Sequence, residues 1–304
     1  MATAAPARPL AGILWMLVTG FCFVTVTAIV KHVGGTIPAP QAAFLRFLLG
    51  LVFFLPMLSR PGAVAALTAL PQSIRRVAAA RAATHTLAVM LWFFAMARIP
   101  IADVTAMNYL SPVYTTIGAA LFFHEKLAAR RIAAIGVAFL GTLIILRPGL
   151  RELDPGHLAM VFTAPAFAAS YLFAKRLSDE VDAGTVVLLM SIGVTIGLAP
   201  FAALVWVPPT AAQLGWLFLV AGFATAGHYA MTRAFAAAPL AVTQPVTFLQ
   251  LVWATMLGAL VFAEPPDPFV MLGGGLIVAA VSFISWREWR LSRRITPDPM
   301  EAKH

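Results

Sequence analysis

Long apolar stretches, each about twenty residues in length, alternate with short polar segments along almost the whole chain. A helix needs about 20 apolar residues to cross about 30 Å of hydrocarbon, so each stretch predicts one membrane-spanning helix. Turn-forming pairs such as Pro148-Gly149 separate the stretches. The pattern therefore predicts an all-α membrane protein with ten transmembrane helices, at 10–31, 39–59, 77–98, 101–123, 128–147, 155–176, 184–206, 212–235, 239–262 and 268–287.

Composition favours a membrane protein over a soluble one, because 61% of the 304 residues are hydrophobic and only 11% are charged. A soluble domain of this length could not bury so much apolar surface. The formal net charge of +9 could indicate a nucleic-acid partner, but excess Lys and Arg is typical of the cytoplasmic loops of membrane proteins. We therefore expect a lipid bilayer, and no nucleic acid, as a partner.

The distribution of basic residues predicts the orientation of the spans. With a cytoplasmic N-terminus, most Lys and Arg residues, Arg81 among them, fall on the cytoplasmic side. Arg46 lies within the second span, and the outer side receives only Lys31, Arg98, Arg147 and Arg151. This bias follows the positive-inside rule, so both termini are predicted to be cytoplasmic. Segment 1–9 is predicted to be a disordered N-terminal tail and 288–304 a cytoplasmic basic tail.

The two halves of the chain resemble each other, which indicates an internal repeat. Segment 100–125 aligns with 239–264, and both begin with proline and end with glutamate; Lys31, at the end of the first span, aligns with Lys175. Each predicted repeat has five spans, an odd number, so the second repeat must cross the membrane in the opposite direction. Inverted repeats are typical of secondary transporters, whose substrate binds near the midplane between the repeats. The predicted repeats are 10–147 and 155–287.

Together these features resemble the EamA repeats of the drug/metabolite transporter superfamily. The resemblance rests on the two five-helix halves, the arginine in Phe44-Leu45-Arg46-Phe47, and the proline and glutamate that bound the fourth and ninth spans. It covers about 10–287 and is greatest to bacterial inner-membrane exporters of amino acids and other metabolites. The resemblance implies alternating access, without a bound cofactor, through a central cavity lined by the first, third, fourth, sixth, eighth and ninth spans. We expect a monomer or a weak homodimer.

Polar and aromatic side chains within these spans are the candidate substrate-binding residues, because polar groups are costly to bury in lipid. They are Trp15, Thr19, His85, Trp92, Asn108, Tyr109, Thr163, Tyr171, His228, Tyr229 and Gln244. For any single threonine, a hydrogen bond to its own helix backbone is the favoured alternative. Proline within a helix removes a backbone hydrogen bond and permits bending, so the predicted gating hinges are Pro112, Pro165 and Pro245.

The charged residues within and beside the spans receive structural interpretations. Arg46 could bind an anionic substrate, but it lies near the outer end of its span, and a structural role is favoured. Glu125 and Glu264 are interpreted as interfacial residues at helix ends. The sequence contains no catalytic or metal-binding motif, so we expect neither an enzyme nor a metalloprotein.

The residue types in the span centres narrow the predicted substrate. The absence of mid-span Asp or Glu disfavours export of lipophilic cations, and the near absence of central Lys or Arg disfavours phosphate esters. We therefore predict export of neutral, aromatic or apolar amino acids, by facilitated diffusion or by weak proton coupling through His85 and His228. Two alternatives stay open: another small metabolite, such as a purine, a neutral sugar or a drug-like compound, and a non-transporting membrane enzyme or scaffold.

Overall fold

The computed structural model describes residues 9–122, 129–150, 152–178, 180–237, 246 and 248–295. In these residues the regular elements are helices, together with a short 3-10 segment at Leu51–Phe54. The α-helices are α1 (Pro9–Gly34), α2 (Ala39–Gly50), α3 (Leu55–Leu58), α4 (Ala63–Thr68), α5 (Gln72–Met96), α6 (Ile101–Asn108), α7 (Leu110–Phe122), α8 (Ala129–Leu146), α9 (Pro155–Ser178), α10 (Ala183–Leu204), α11 (Ala211–Ala237), α12 (Phe248–Phe262) and α13 (Pro268–Ile295).

Eight helical segments in the described part of the chain are long and apolar enough to cross a membrane. They coincide with all the predicted spans except the fourth and the ninth. The fourth is broken at Tyr109 into the shorter helices α6 and α7, and the ninth is described as a helix only from Phe248. The all-helical membrane fold is therefore confirmed for the described residues, whereas the count of ten spans stays a prediction.

Contacts between helix ends show that the two halves run in opposite directions. The end of α1 meets the end of α12 through Lys31 and Glu264, which form an ion pair. The starts of α6 and α9 meet beside them through Asp103 and His157. One end of the bundle, which we call the clasp face, thus holds the end of α1 and the start of its counterpart α9. The repeats are inverted, as the odd number of predicted spans requires.

Packing between the helices follows the same two-fold relation. Helix α1 packs along α11, and its counterpart α9 packs along α5; α2 packs on α10, and α8 packs on α13. When each helix is replaced by its counterpart in the other repeat, the same set of helix contacts results. Helices α8 and α13 approach so closely that a Cβ added to Gly141 would lie 2.6 Å from the carbonyl oxygen of Gly273. Glycine permits this close backbone contact between membrane helices.

Candidate functional site

A buried hydrogen bond joins the two repeats inside the bundle. It links His85 Nδ1, on α5, to Ser170 Oγ, on α9, across 3.0 Å. The His85 side chain is 4% exposed and Ser170 is fully buried. Helices α5 and α9 correspond to the third and sixth predicted spans, so two predicted cavity-lining helices meet at a polar pair.

Aromatic rings surround this hydrogen bond. The His85 ring lies 6.0 Å from Phe47 and 5.2 Å from Phe167, measured between ring centroids. Phe167 contacts Trp92 edge-on at 6.0 Å, and it stacks on Tyr171 at 6.0 Å with the ring planes only 8° apart. We call these five residues the aromatic cluster. Sequence reasoning identified His85, Trp92 and Tyr171, but it missed the two phenylalanines because apolar residues in a span resemble ordinary packing residues.

Two arginines lie close to the aromatic cluster. Arg81, on α5, is only 7% exposed, and its Nη1 donates to the carbonyl oxygen of Val186 on α10 at 2.9 Å. Arg46 lies over the Phe47 ring at 3.9 Å. Both guanidinium groups interact electrostatically with His85. Arg81 is thus buried inside the bundle, and two basic residues lie on helices that contribute to the aromatic cluster, although the sequence indicated a centre nearly free of Lys and Arg.

His228 and Tyr229 are adjacent on α11, but their side chains belong to different groups. The His228 ring packs edge-on against Phe23 at 5.2 Å and interacts electrostatically with both arginines. Tyr229 is 56% exposed, and its hydroxyl accepts a hydrogen bond from Arg233 at 2.8 Å. Its ring contacts Trp15 at 6.2 Å. His228 thus packs against α1, and Trp15 and Tyr229 form a separate group.

The two predicted threonines donate to their own helices. Thr19 Oγ1 bonds the carbonyl oxygen of Trp15 at 2.9 Å, and Thr163 Oγ1 bonds that of Ala159 at 2.8 Å. Both residues are buried. Since each hydroxyl has only one proton to donate, a ligand could use these groups only as acceptors.

Polar side chains lie at the break between α6 and α7, within the fourth predicted span. Asn108 ends α6, and the hydroxyl of the next residue, Tyr109, interacts with the backbone of Leu251 on α12. Among the described residues, neither Asn108 Oδ1 nor Trp92 Nε1 has a hydrogen-bond partner, although both atoms are buried. Buried polar atoms without partners are costly, and at a binding site a ligand can supply the missing partner.

The predicted hinges occupy different local settings. Pro112 is the third residue of α7, and because it has no amide hydrogen it cannot bond the carbonyl of Asn108 one turn earlier. The helix is interrupted at Tyr109, between the end of α6 and the start of α7. Pro165 lies inside the continuous helix α9. Gln244 and Pro245 lie outside the described residues.

Three pairs of polar side chains connect the repeats at the clasp face, two of them ion pairs and the third a hydrogen bond between His157 and Asp103. Lys31 pairs with Glu264, Arg147 pairs with Asp267, and Asp103 pairs with His157. We call these three pairs the clasp.

Backbone hydrogen bonds support the first pair of the clasp. Lys31 Nζ also donates to the carbonyl oxygen of Ile99 at 2.8 Å, and the Ile101 amide donates to Glu264 Oε2 at 3.0 Å. Glu264 is thus more than the interfacial helix-end residue that the sequence indicated.

A cavity of about 360 Å³ lies against the clasp. Its lining includes Asp103, Arg147, Glu264 and Asp267, together with Phe269, whose ring lies 4.7 Å from the Arg147 guanidinium. No group of three or more potential metal ligands occurs among the described residues.

Two inverted helical repeats with a polar and aromatic site between them define a multi-pass membrane protein with the architecture of a secondary transporter. The chain matches the profile of the EamA-like transporter family over residues 10–147 and 154–286, and it belongs to this family. The resemblance to the drug/metabolite transporter superfamily is thereby confirmed.

Three relatives match nearly the whole chain. A riboflavin transporter of Rhizobium johnstonii is 33% identical over 95% of both chains. A riboflavin transporter of Vibrio cholerae is 30% identical over 94% of this chain and 97% of the relative. An S-adenosylmethionine uptake transporter of Rickettsia bellii is 24% identical over 93% of this chain and 97% of the relative. All three names describe transport of small molecules, and the chain is accordingly a membrane transporter.

Proposed function

We propose that this protein transports a flat heteroaromatic metabolite of the riboflavin class through a site between its two repeats. The observation that carries the proposal is the aromatic cluster around the His85–Ser170 hydrogen bond. Two relatives that are at least 30% identical over nearly their whole length are named riboflavin transporters, which supports the same substrate class.

The chemistry of the site suits such a substrate. Aromatic side chains bind flat rings by stacking and by edge contacts, as Phe167 already does with Tyr171 and Trp92. The isoalloxazine ring of riboflavin presents carbonyl oxygens and an N–H group along one edge. The buried donor Trp92 Nε1 and the buried acceptor Asn108 Oδ1 are complementary to groups of these kinds.

The predicted substrate-binding residues therefore divide into two sets. His85, Trp92, Asn108, Tyr109, Tyr171 and His228 form our proposed site. Trp15, Thr19, Thr163, Tyr229 and Gln244 remain sequence-based predictions. Alternating access, with bending at Pro112, Pro165 and Pro245, is proposed on the basis of the inverted repeats.

We place the clasp face on the outer side of a bacterial inner membrane, with both termini cytoplasmic. The positive-inside rule supports this orientation, because the outer side then receives only four basic residues. They are Lys31, Arg98, Arg147 and Arg151. The relatives are bacterial transporters, and we propose that this chain is likewise a transporter and not an enzyme.

Amino-acid export is the second candidate, and one structural observation favours it. Arg46 lies over the Phe47 ring and Arg81 lies one turn before His85 on α5, so a guanidinium group could bind the carboxylate of an aromatic amino acid whose ring stacks in the cluster. Export itself stays a prediction from the family resemblance, and the experiment below tests an aromatic amino acid as a competitor.

Purified protein in liposomes tests the proposal directly. Vesicles loaded with unlabelled riboflavin should exchange it for external labelled riboflavin in a saturable way, and unlabelled tryptophan should compete weakly. Tyr171→Leu removes one stacking ring and should raise the KM about fivefold. Phe162→Leu, on the exposed face of the same helix α9, is the matched control and should leave the KM unchanged. Riboflavin exchange no faster than in protein-free vesicles would refute the proposal.

A further inference from the structure

Arg81 is a buried cation in a helix that contributes His85 to the proposed site. Its side chain is 7% exposed, and it precedes His85 by one helical turn, so both residues lie on the same face of α5. His85 belongs to the aromatic cluster, so Arg81 lies one helical turn from that cluster along α5. The guanidinium group therefore belongs to the surroundings of that cluster.

The charge of Arg81 is not neutralised by a described acidic residue. The ion pairs within the described ranges use Lys31, Arg147 and Arg176 as their cationic partners. Arg81 Nη1 donates to the carbonyl oxygen of Val186, but Arg81 Nε is buried without a hydrogen-bond partner among these residues. Burial of a charge without an ionic partner is strongly unfavourable, so a role in holding α5 against α10 does not by itself explain why an arginine occupies this position.

We propose that Arg81 determines the specificity of the site by binding the hydrogen-bond-accepting edge of the substrate. A guanidinium group is planar, donates hydrogen bonds only, and cannot accept one, so its partner must be a carbonyl, carboxylate or phosphate oxygen. A planar ligand stacked in the aromatic cluster presents its edge, and not its face, to the groups around the cluster. The proposal rests on the proposed function, because it assumes that the substrate binds at this cluster.

The consequence is selection by charge and by the polarity of the ring edge. Arg46 and Arg81 together create a positive field around His85, which disfavours a cationic ring. A flat ring with carbonyl oxygens along one edge is accepted, and so is a ligand with a carboxylate or a phosphate. The site thus selects for substrates with hydrogen-bond acceptors. The sequence did not indicate this selection, because its span centres have almost no Lys or Arg.

Equilibrium dialysis of the full-length purified protein with two flat probes tests this selection. Lumiflavin has a dicarbonyl edge and no charge, whereas proflavine is a cation whose amino groups donate. We expect wild type to prefer lumiflavin. Arg81→Gln should raise the Kd of lumiflavin about tenfold to a hundredfold, because a hydrogen bond from a charged donor is lost, and should weaken the discrimination against proflavine. Arg81→Lys should restore part of the preference, since it keeps the charge but not the planar fork.

Arg176→Gln is the matched control, because this arginine is 60% exposed and pairs with Glu180 at the surface of the same bundle. It should leave both Kd values unchanged. A purely structural Arg81 would lower the thermal unfolding midpoint of Arg81→Gln and leave the preference intact, which would overturn the inference. If Arg81→Gln does not fold, Arg81→Lys provides the test. Kd values for both probes equal to those of wild type would then overturn the inference.

The two proposals fail separately. If wild type exchanges riboflavin but the preference does not depend on Arg81, the inference about Arg81 falls and the proposed function stands. If wild type exchanges no riboflavin but prefers lumiflavin through Arg81, the proposed function falls and the inference stands. If wild type neither exchanges riboflavin nor binds either probe, both are overturned.

Discussion

The clasp gives a direct prediction about opening of the transporter. All three of its side-chain pairs join the first repeat to the second at one face. Alternating access requires the repeats to separate at each face in turn, so these pairs must break when the clasp face opens. Glu264→Gln removes the charge that pairs with Lys31, while its amide oxygen can still accept from the Ile101 amide. The substitution should therefore favour the state in which the clasp face is open.

The exposure of the pair sets the size of the effect. The side chains of Lys31 and Glu264 are 16% and 14% exposed, so the pair is neither fully buried nor at the surface. Breaking a buried pair costs about 3–5 kcal/mol, whereas a surface pair contributes about 0.2–1 kcal/mol. An intermediate value of about 2 kcal/mol corresponds to a change of about thirtyfold in the ratio of open to closed protein.

Labelling of a single cysteine measures this ratio. The background is Cys22→Ser, which removes the one native thiol, and the reporter is Ala102→Cys, at a position that lines the clasp-face cavity. A membrane-impermeant maleimide added to intact cells should react faster when Glu264→Gln is also present. The same reagent added to inside-out vesicles tests the orientation, because faster reaction there would place the clasp face in the cytoplasm.

Glu180→Gln is the matched control for the loss of a carboxylate. It breaks the exposed pair between Arg176 and Glu180, whose side chains are 60% and 41% exposed, without touching the clasp. Its labelling rate should equal that of the background. If Glu264→Gln reacts no faster than Glu180→Gln on either side of the membrane, the clasp does not control opening and the reasoning is refuted.

Three further predictions concern helix ends and packing. Asp182→Ala removes the side chain that caps α10 and should lower the free energy of unfolding by about 1 kcal/mol. A hydrogen bond from the Thr185 hydroxyl lowers the pKa of Asp182, so thermal melts should show the full difference above about pH 4 and its loss at lower pH. Pro112→Ala restores a backbone donor and should slow riboflavin exchange more than it lowers expression; unchanged exchange would contradict the hinge. Gly141→Ala places a Cβ 2.6 Å from backbone of α13 and should destabilise by about 1–3 kcal/mol, whereas Gly136→Ala, with open space around it, should be neutral in the same melts.

The features that sequence reasoning predicted well are those fixed by local pattern. Apolar length determines whether a segment can span a bilayer, and an odd number of spans in each repeat dictates inversion. The break at Tyr109 also had a local signal, because Pro112 cannot donate to the carbonyl one turn earlier. The sequence nevertheless indicated one continuous span there, since no charged residue interrupts the stretch at the break.

The features that sequence reasoning missed depend on how distant segments meet. Arg81 was counted with the basic residues of the cytoplasmic side near the start of the third span, but its burial depends on α10, whose Val186 accepts its hydrogen bond. Lys31 and Glu264 were both identified at span ends, yet their pairing requires the ends of α1 and α12 to be neighbours. Charge and hydropathy along the chain contain no direct information on that distance.

The proposed substrate site and the clasp lie at the same interface between the repeats. His85 comes from the first repeat and Ser170 from the second, so a ligand that inserts between them must act on the contact between the repeats. The clasp closes that contact at one end of the bundle. Coupling between two equilibria is reciprocal, so a substitution that opens the clasp must change substrate affinity if the substrate binds the open and closed states differently. A Glu264→Gln variant that labels faster and also shows a shifted Kd for lumiflavin would therefore demonstrate that the clasp and the aromatic cluster belong to one transport cycle.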